Sequence, residues 1–191
     1  MTSLILASNS PRRKELLHGA GFNFETIVSN FEEVNAFKSS RYCALLNAEG
    51  KAKDVFNKLL SVKHEDFCII SADTVVDLNG KILGKPKSEE EAVEMLNALS
   101  NNTHMVITAF CIVSKTDFLL KAEESLVLFN NLSKEEIYSY VKTGKPFDKA
   151  GAYGVQDGFN LVKEVRGSFS NVVGLPIETV SFILTERFKV R

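Results

Sequence analysis

The stretch Phe67–Val76, FCIISADTVV, is apolar at odd and even positions alike. A strand of this kind buries both faces, so it belongs at the centre of a sheet covered by helices on two sides. It also sets Asp73 inside an apolar run, where a carboxylate must be paired, protonated or bound to a cation. Two readings follow for Asp73. It is a metal ligand or general base, or it is a buried aspartate bonded to backbone N–H groups.

The flanking sequence supplies the rest of such a sheet. Residues 2–7 predict a first strand, Pro11–Ala20 a helix ended by Gly19 and Gly21, and Phe22–Val28 a second strand. Arg41–Leu60 carries Leu45, Ala48, Ala52, Val55, Leu59 and Leu60 near a helical period that Gly50 weakens. Asn79-Gly80 marks a hairpin continuing into Ile82 and Leu83, and Ser88–Leu99 predicts a helix with three glutamates in its first turn. His104–Ser114 and Phe118–Asn130 read as antiparallel strands around Lys115-Thr116-Asp117, and Ser133–Lys142 as a helix with a Ser133/Glu136 capping box. A strand over Phe159–Val165 and a helix over Pro176–Phe188 complete the order. This alternation predicts an α/β fold with a mixed β-sheet flanked by helices, as one domain over residues 1–191. Segments 8–14, 73–87 and 147–158 then fall at element junctions, where ligands commonly sit.

Charge narrows the partners. The formal net charge is −1, so the chain as a whole has no long-range attraction for nucleic acid or an anionic membrane, and a bound anion needs local cations. The first apolar run ends after Ala7, too short for a signal-peptide core, and no membrane-length apolar stretch occurs, which predicts a cytoplasmic protein. Cys43, Cys68 and Cys111 are widely separated in apolar or helical contexts and read as reduced packing residues. His18, His64 and His104 are expected at the surface or in turns.

SNSPRRKELL, residues 8–17, opens the first helix with two hydroxyls, a proline and three cations. Ser10 is placed to cap the helix with Pro11 at its first position. Arg12, Arg13 and Lys14 beside a helix N-terminus are unfavourable unless an anion is bound there, so the stretch reads as a phosphate site or as a solvated first turn. Lys85 is either a ligand-facing cation or a loop lysine; Glu32, Glu33, Glu49, Lys51 and Lys53 carry the same ambiguity. In DKAGAYGVQ, residues 148–156, the small residues allow close backbone approach, while Lys149 and Gln156 offer donors to a ligand. An anion-holding helix start, a carboxylate suited to a hard cation and scattered lysines together fit chemistry on a metal-bound phosphate. No Walker A pattern, GxGxxG fingerprint or GxSxG elbow is present, which sets aside the common kinase and dinucleotide folds.

LILASNSPRRKELL (4–17), SADTVV (71–76), GKPKSEEEA (84–92), DKAGAYGVQ (148–156) and NVVGLPIETV (171–180) resemble, in order, the motifs of the Maf family of nucleoside triphosphate pyrophosphatases. The resemblance implies an elongated mixed sheet, two lobes around a deep cleft, a homodimer, and hydrolysis of a nucleoside triphosphate to monophosphate and pyrophosphate with Mg2+ or Mn2+. By motif, Ser8, Arg12 and Arg13 hold phosphates, Asp73 is proton acceptor and metal ligand, and Lys85 neutralises the triphosphate. Glu33, as a metal ligand, and Lys51 match charged cleft positions. Gly50 stands where the family more often has a glutamate, with Glu49 one place earlier, which leaves the partner of Lys51 open. Arg12, Thr74 and Gln156 resemble the branch acting on dTTP and UTP rather than the one acting on 7-methylguanosine triphosphate, and Gln156 has both donors and acceptors for a pyrimidine edge. The family's link to septum formation implies a rival role, a nucleotide-binding regulator of cell division. On either reading Asp73 and the two arginines must face one cavity.

Overall fold

The apolar strand that carries Asp73 is the axis of the molecule. In a computed structural model describing residues 2–34, 39–60 and 66–190, β3 (Phe67–Leu78) runs twelve residues through the sheet, nearly all of it buried. On one side it pairs in parallel with β1 (Ser3–Leu6), which pairs in parallel with β2 (Phe24–Thr26). On the other it pairs antiparallel with β5 (Thr103–Ser114), followed by β6 (Phe118–Phe129) and the edge strand β7 (Val162–Arg166). A short strand, β4 (Lys81–Leu83), folds back on the end of β3 through Asn79 and Gly80, both at positive φ as a primed hairpin turn requires. Among the described residues, seven strands form one mixed sheet in the order β2-β1-β3-β5-β6-β7, with β4 on β3.

Helices cover both faces, and the parity of β3 says which. Its odd positions Phe67, Ile69 and Val75 pack with Ala44, Ala48, Ala52 and Val55 of α2 (Ser40–Leu60). Its even positions Cys68, Ile70 and Ala72 pack with Leu17 of α1 (Pro11–Gly19) and with Val180, Ile183 and Leu184 of α6 (Ile177–Glu186). Farther along the same face, Val76 joins a separate cluster with Leu96 and Leu99 of α3 (Glu89–Leu99) and Ile137 and Tyr140 of α4 (Lys134–Val141). The even face therefore carries two cores, with Thr74 between them. Two N-caps form here: Ser88 accepts from Glu91 N–H, and Ser133 and Glu136 make the expected reciprocal capping box.

Several boundaries differ from expectation. The second strand keeps only three of its expected residues, and the last strand starts at Val162 rather than Phe159, because the chain between Gly154 and Leu161 is spent in tight turns. A five-residue helix, α5 (Phe169–Val173), forms where no periodic pattern is long enough to announce one. The three cysteines are free and buried, as read from the sequence. His18 is exposed, and His64 lies outside the described residues. His104 corrects the expectation of a surface or turn role. Asn101, at φ 55°, closes the preceding turn so tightly that β5 begins at Thr103, and alternation then turns His104 inward with Val106. It is 2% exposed, wedged between Phe129 and Tyr153, with Nε2 2.7 Å from the Tyr153 hydroxyl. No helix among the described residues is long and apolar enough to cross a membrane.

Candidate active site

The cleft arises from a gap in strand pairing. Along one edge of β3 the partner is β1 as far as Ile70, whose carbonyl accepts the Ala7 N–H at 2.7 Å; pairing resumes only at Val76, opposite Leu83 of β4. Between them the edge of β3 faces a cleft of about 560 Å³. Asp73 and Thr74 leave β3 on opposite faces, yet both reach this cleft, because no strand closes the edge between them. Ser8, Arg12, Arg13, Glu33, Lys51, Lys85 and Gln156 line it too. Every site residue expected around Asp73 thus shares one cavity with it.

On the α2 face, Lys51 Nζ lies 2.7 Å from Asp73 Oδ1 and 2.5 Å from Glu33 Oε1, an ammonium bridging two carboxylates. The other Asp73 oxygen accepts from Asn47 Nδ2 at 3.0 Å. Burial alone would raise the Glu33 carboxyl, but the charge and hydrogen bond of Lys51, with Lys85 and Arg13 behind, hold it below the usual range. Gly50 explains itself: a Cβ there would sit 2.4 Å from the Phe31 ring, which lies on the helix and lines the cleft. Glu49 instead pairs with Lys53 one turn on, so the partners of Lys51 are Asp73 and Glu33.

On the opposite face, Arg13 is threaded through protein acceptors. Nε donates to the Gly174 carbonyl at 2.9 Å, Nη1 to the Ser8 hydroxyl at 3.0 Å and Nη2 to the Thr74 hydroxyl at 3.1 Å. Burial pulls its guanidinium below the ordinary value, and the field of Asp73 opposes this. The Thr74 hydroxyl is shared between Arg13 and Thr108. Arg12 is held by Asp148, at 2.5 Å from its carboxylate and 3.1 Å from its carbonyl. Lys85, exposed in the loop after β4, and Gln156, exposed beyond the tight Gly154 turn, complete the rim. Ser10 occupies the N-cap position of α1, but its hydroxyl makes no cap bond; its own N–H donates to Ser8 Oγ, so the cap expected from sequence is not formed. Lys149 also lines the cleft, with its ammonium bonded to the Lys145 carbonyl, Asp148 and Asp157.

Residues 3–187 match the family described as Maf-like protein. This chain belongs to the Maf family. It is 45% identical to the dTTP/UTP pyrophosphatase of Alkaliphilus oremlandii, covering 100% of this chain and 98% of the relative, and 46% identical to that of Aquifex aeolicus, covering 96% and 94%. Among solved structures it is similar to a nucleoside-triphosphatase, a dITP/XTP pyrophosphatase of Mycobacterium abscessus, at 13% identity and TM-score 0.45 over 98% and 97% of the two chains. Around this Maf cleft, sequence reasoning passed over Phe31, Asn47 and Asp148. A signal existed for Asn47 alone: a polar residue at 47 shares a helical row with Cys43 and Lys51 on a helix otherwise buried through alanines.

Proposed function

We infer that this Maf-family protein is a nucleoside triphosphate pyrophosphatase that hydrolyses dTTP and UTP to the monophosphate and pyrophosphate. Relatives 43–46% identical over nearly the whole chain carry the name dTTP/UTP pyrophosphatase. The observation that carries the reading is the convergence, at one open strand edge, of two carboxylates with Arg12, Arg13, Lys51 and Lys85. With Lys149 and Asp148 counted, five cations and three acids line the cleft, so it stays net positive toward a triphosphate while keeping a carboxylate to act as base.

In the proposed reaction the triphosphate lies along Arg12, Arg13 and Lys85, with Arg12 exchanging Asp148 for a phosphate. Asp73 accepts a proton from a water whose oxygen bonds to the α phosphorus. The bond from that phosphorus to its bridging oxygen breaks, and pyrophosphate leaves with the electron pair, its charge met by the same cations. Gln156, on the rim, reads the pyrimidine edge. Asp73 and Glu33 are the residues that would hold a divalent cation. Among the described residues no third His, Cys, Asp or Glu joins them, a donor set suited to Mg2+ or Mn2+ that completes its coordination with water and substrate phosphate. Such an ion supplies charge neutralisation on the transferring phosphate. The test is pyrophosphate release from a panel of triphosphates with Mg2+ or Mn2+. Turnover of dTTP and UTP well above that of 7-methylguanosine triphosphate supports the reading, and the reverse preference, or binding without turnover, overturns it.

A further inference from the structure

The loop that carries Glu33 is laced to a single stripe of α2. Asp54 accepts from the Ser29 hydroxyl and the Asn30 N–H, both at 2.8 Å; Gly50 seats the Phe31 ring; Lys51 pairs with Glu33; and Asn47 meets Val34. These helix positions, 47, 50, 51 and 54, follow the i, i+3, i+4, i+7 spacing of one face. Of the four, Asn47 and Lys51 also touch Asp73. Asn47 is 1% exposed and its amide is fully engaged: Oδ1 accepts from Val34 N–H at 2.8 Å, and Nδ2 donates to the Val34 carbonyl at 3.2 Å and to Asp73 Oδ2 at 3.0 Å. The fixed donor and acceptor of the Val34 backbone dictate which way the amide faces, and that orientation aims an N–H at Asp73.

We propose that Asn47 is a positioning residue for the pyrophosphatase reaction, joining the Asp73 carboxylate to the backbone beside Glu33 so that the two acids converge. The proposal rests on the function inferred above. Lys51 attracts both acids but is a flexible point charge; the planar amide of Asn47 fixes both a direction and a spacing. Without it, the Val34 backbone loses its bonds to the Asn47 amide and Asp73 Oδ2 loses its donor, while the ion pairs remain. The consequence falls on turnover and on cation binding rather than on capture of the triphosphate, whose arginines and Lys85 lie elsewhere in the cleft.

The experiment compares wild type with Asn47→Leu, which fills the same space without polar atoms, and with Asn47→Ser, which leaves room for a bridging water. Three readouts are taken: kcat and KM for UTP, free Mn2+ by electron paramagnetic resonance in the presence of a non-hydrolysable α,β-methylene analogue of UTP, and the melting curve. For the Leu variant, kcat falls about 10- to 100-fold, KM stays within about 3-fold, and half-saturation by Mn2+ rises about 10-fold, the scale of lost support behind a metal ligand. Should the Leu variant fail to melt cooperatively, the Ser variant is judged by the same criteria. A folded variant with kcat and Mn2+ binding within about 2-fold of wild type, or one altered in KM alone, overturns the proposal. A wild type that releases no pyrophosphate overturns the inferred function instead, and the Mn2+ titration then decides the role of Asn47.

Discussion

At the residue scale the decisive group is Asp73, held on one oxygen by Lys51 and on the other by Asn47. Replacing it by asparagine preserves shape but removes the proton acceptor and turns one of its two accepting oxygens into a donor, so kcat is expected to fall at least about 100-fold with the fold retained, as pyrophosphate release and circular dichroism would check. An Asp73→Asn variant of full activity would refute the role. Asp73 was legible in sequence because an acid inside FCIISADTVV is costly without a partner, and Arg12 and Arg13 because cations crowd a helix start. Their neighbours were not. Asn47 lies 26 residues from Asp73 and Asp148 lies 136 from Arg12, and no local spacing encodes contacts made only when the sheet assembles. The Ser10 cap was a local inference the structure does not bear out: Ser10 sits at the N-cap position, but its hydroxyl makes no cap bond.

At the element scale the site depends on β3 being longer than either partner on its open edge, and on α2 presenting a stripe that fastens the loop from Ser29 to Val34. Apolar periodicity predicted both elements. It was silent on the gap between β1 and β4, because pairing register is set by neighbours and not by one strand's own pattern. Gly50 appeared as a weakness in the helix, and structurally it is the seat of Phe31. Gly50→Ala should gain up to about 1 kcal/mol of helix propensity. The new Cβ meets Cδ2, Cε2 and Cζ of Phe31 at 2.4–2.6 Å, so the whole ring must leave its seat and the lost packing offsets the propensity gain; chemical denaturation should show stability unchanged or lowered. Phe31 lines the cleft two residues from Glu33, and kcat/KM for UTP is expected to drop about 10-fold or more, since small misplacements at a reacting centre are expensive. A Gly50→Ala variant with unchanged kcat/KM would show that the seat is only structural.

At the scale of the whole molecule, the described residues form three cores on one sheet, and the cleft opens where the two on its even face are separated at Thr74. Polar side chains stitch across that separation: Arg13 reaches Thr74 and Gly174, and Thr108 reaches Thr74 and the Asn171 carbonyl. His104 packs on Phe129 and Tyr153 of the core under α3 and α4, and its burial lowers it from 6.5 to about 4. Between those values the unfolded chain binds the proton and the folded one does not, so stability rises with pH across this window and is lost as pH falls through it. The loss should reach roughly 3 kcal/mol by pH 4 relative to a His104→Gln variant, read from urea unfolding at several pH values. Parallel curves for the two proteins would contradict it.

The central claim, hydrolysis at the α phosphorus in this cleft, is tested most directly by turnover of UTP in 18O-labelled water with the products resolved by phosphorus NMR. The account predicts unlabelled pyrophosphate and label in the uridine monophosphate. Label in pyrophosphate, or release of orthophosphate with uridine diphosphate, would contradict it.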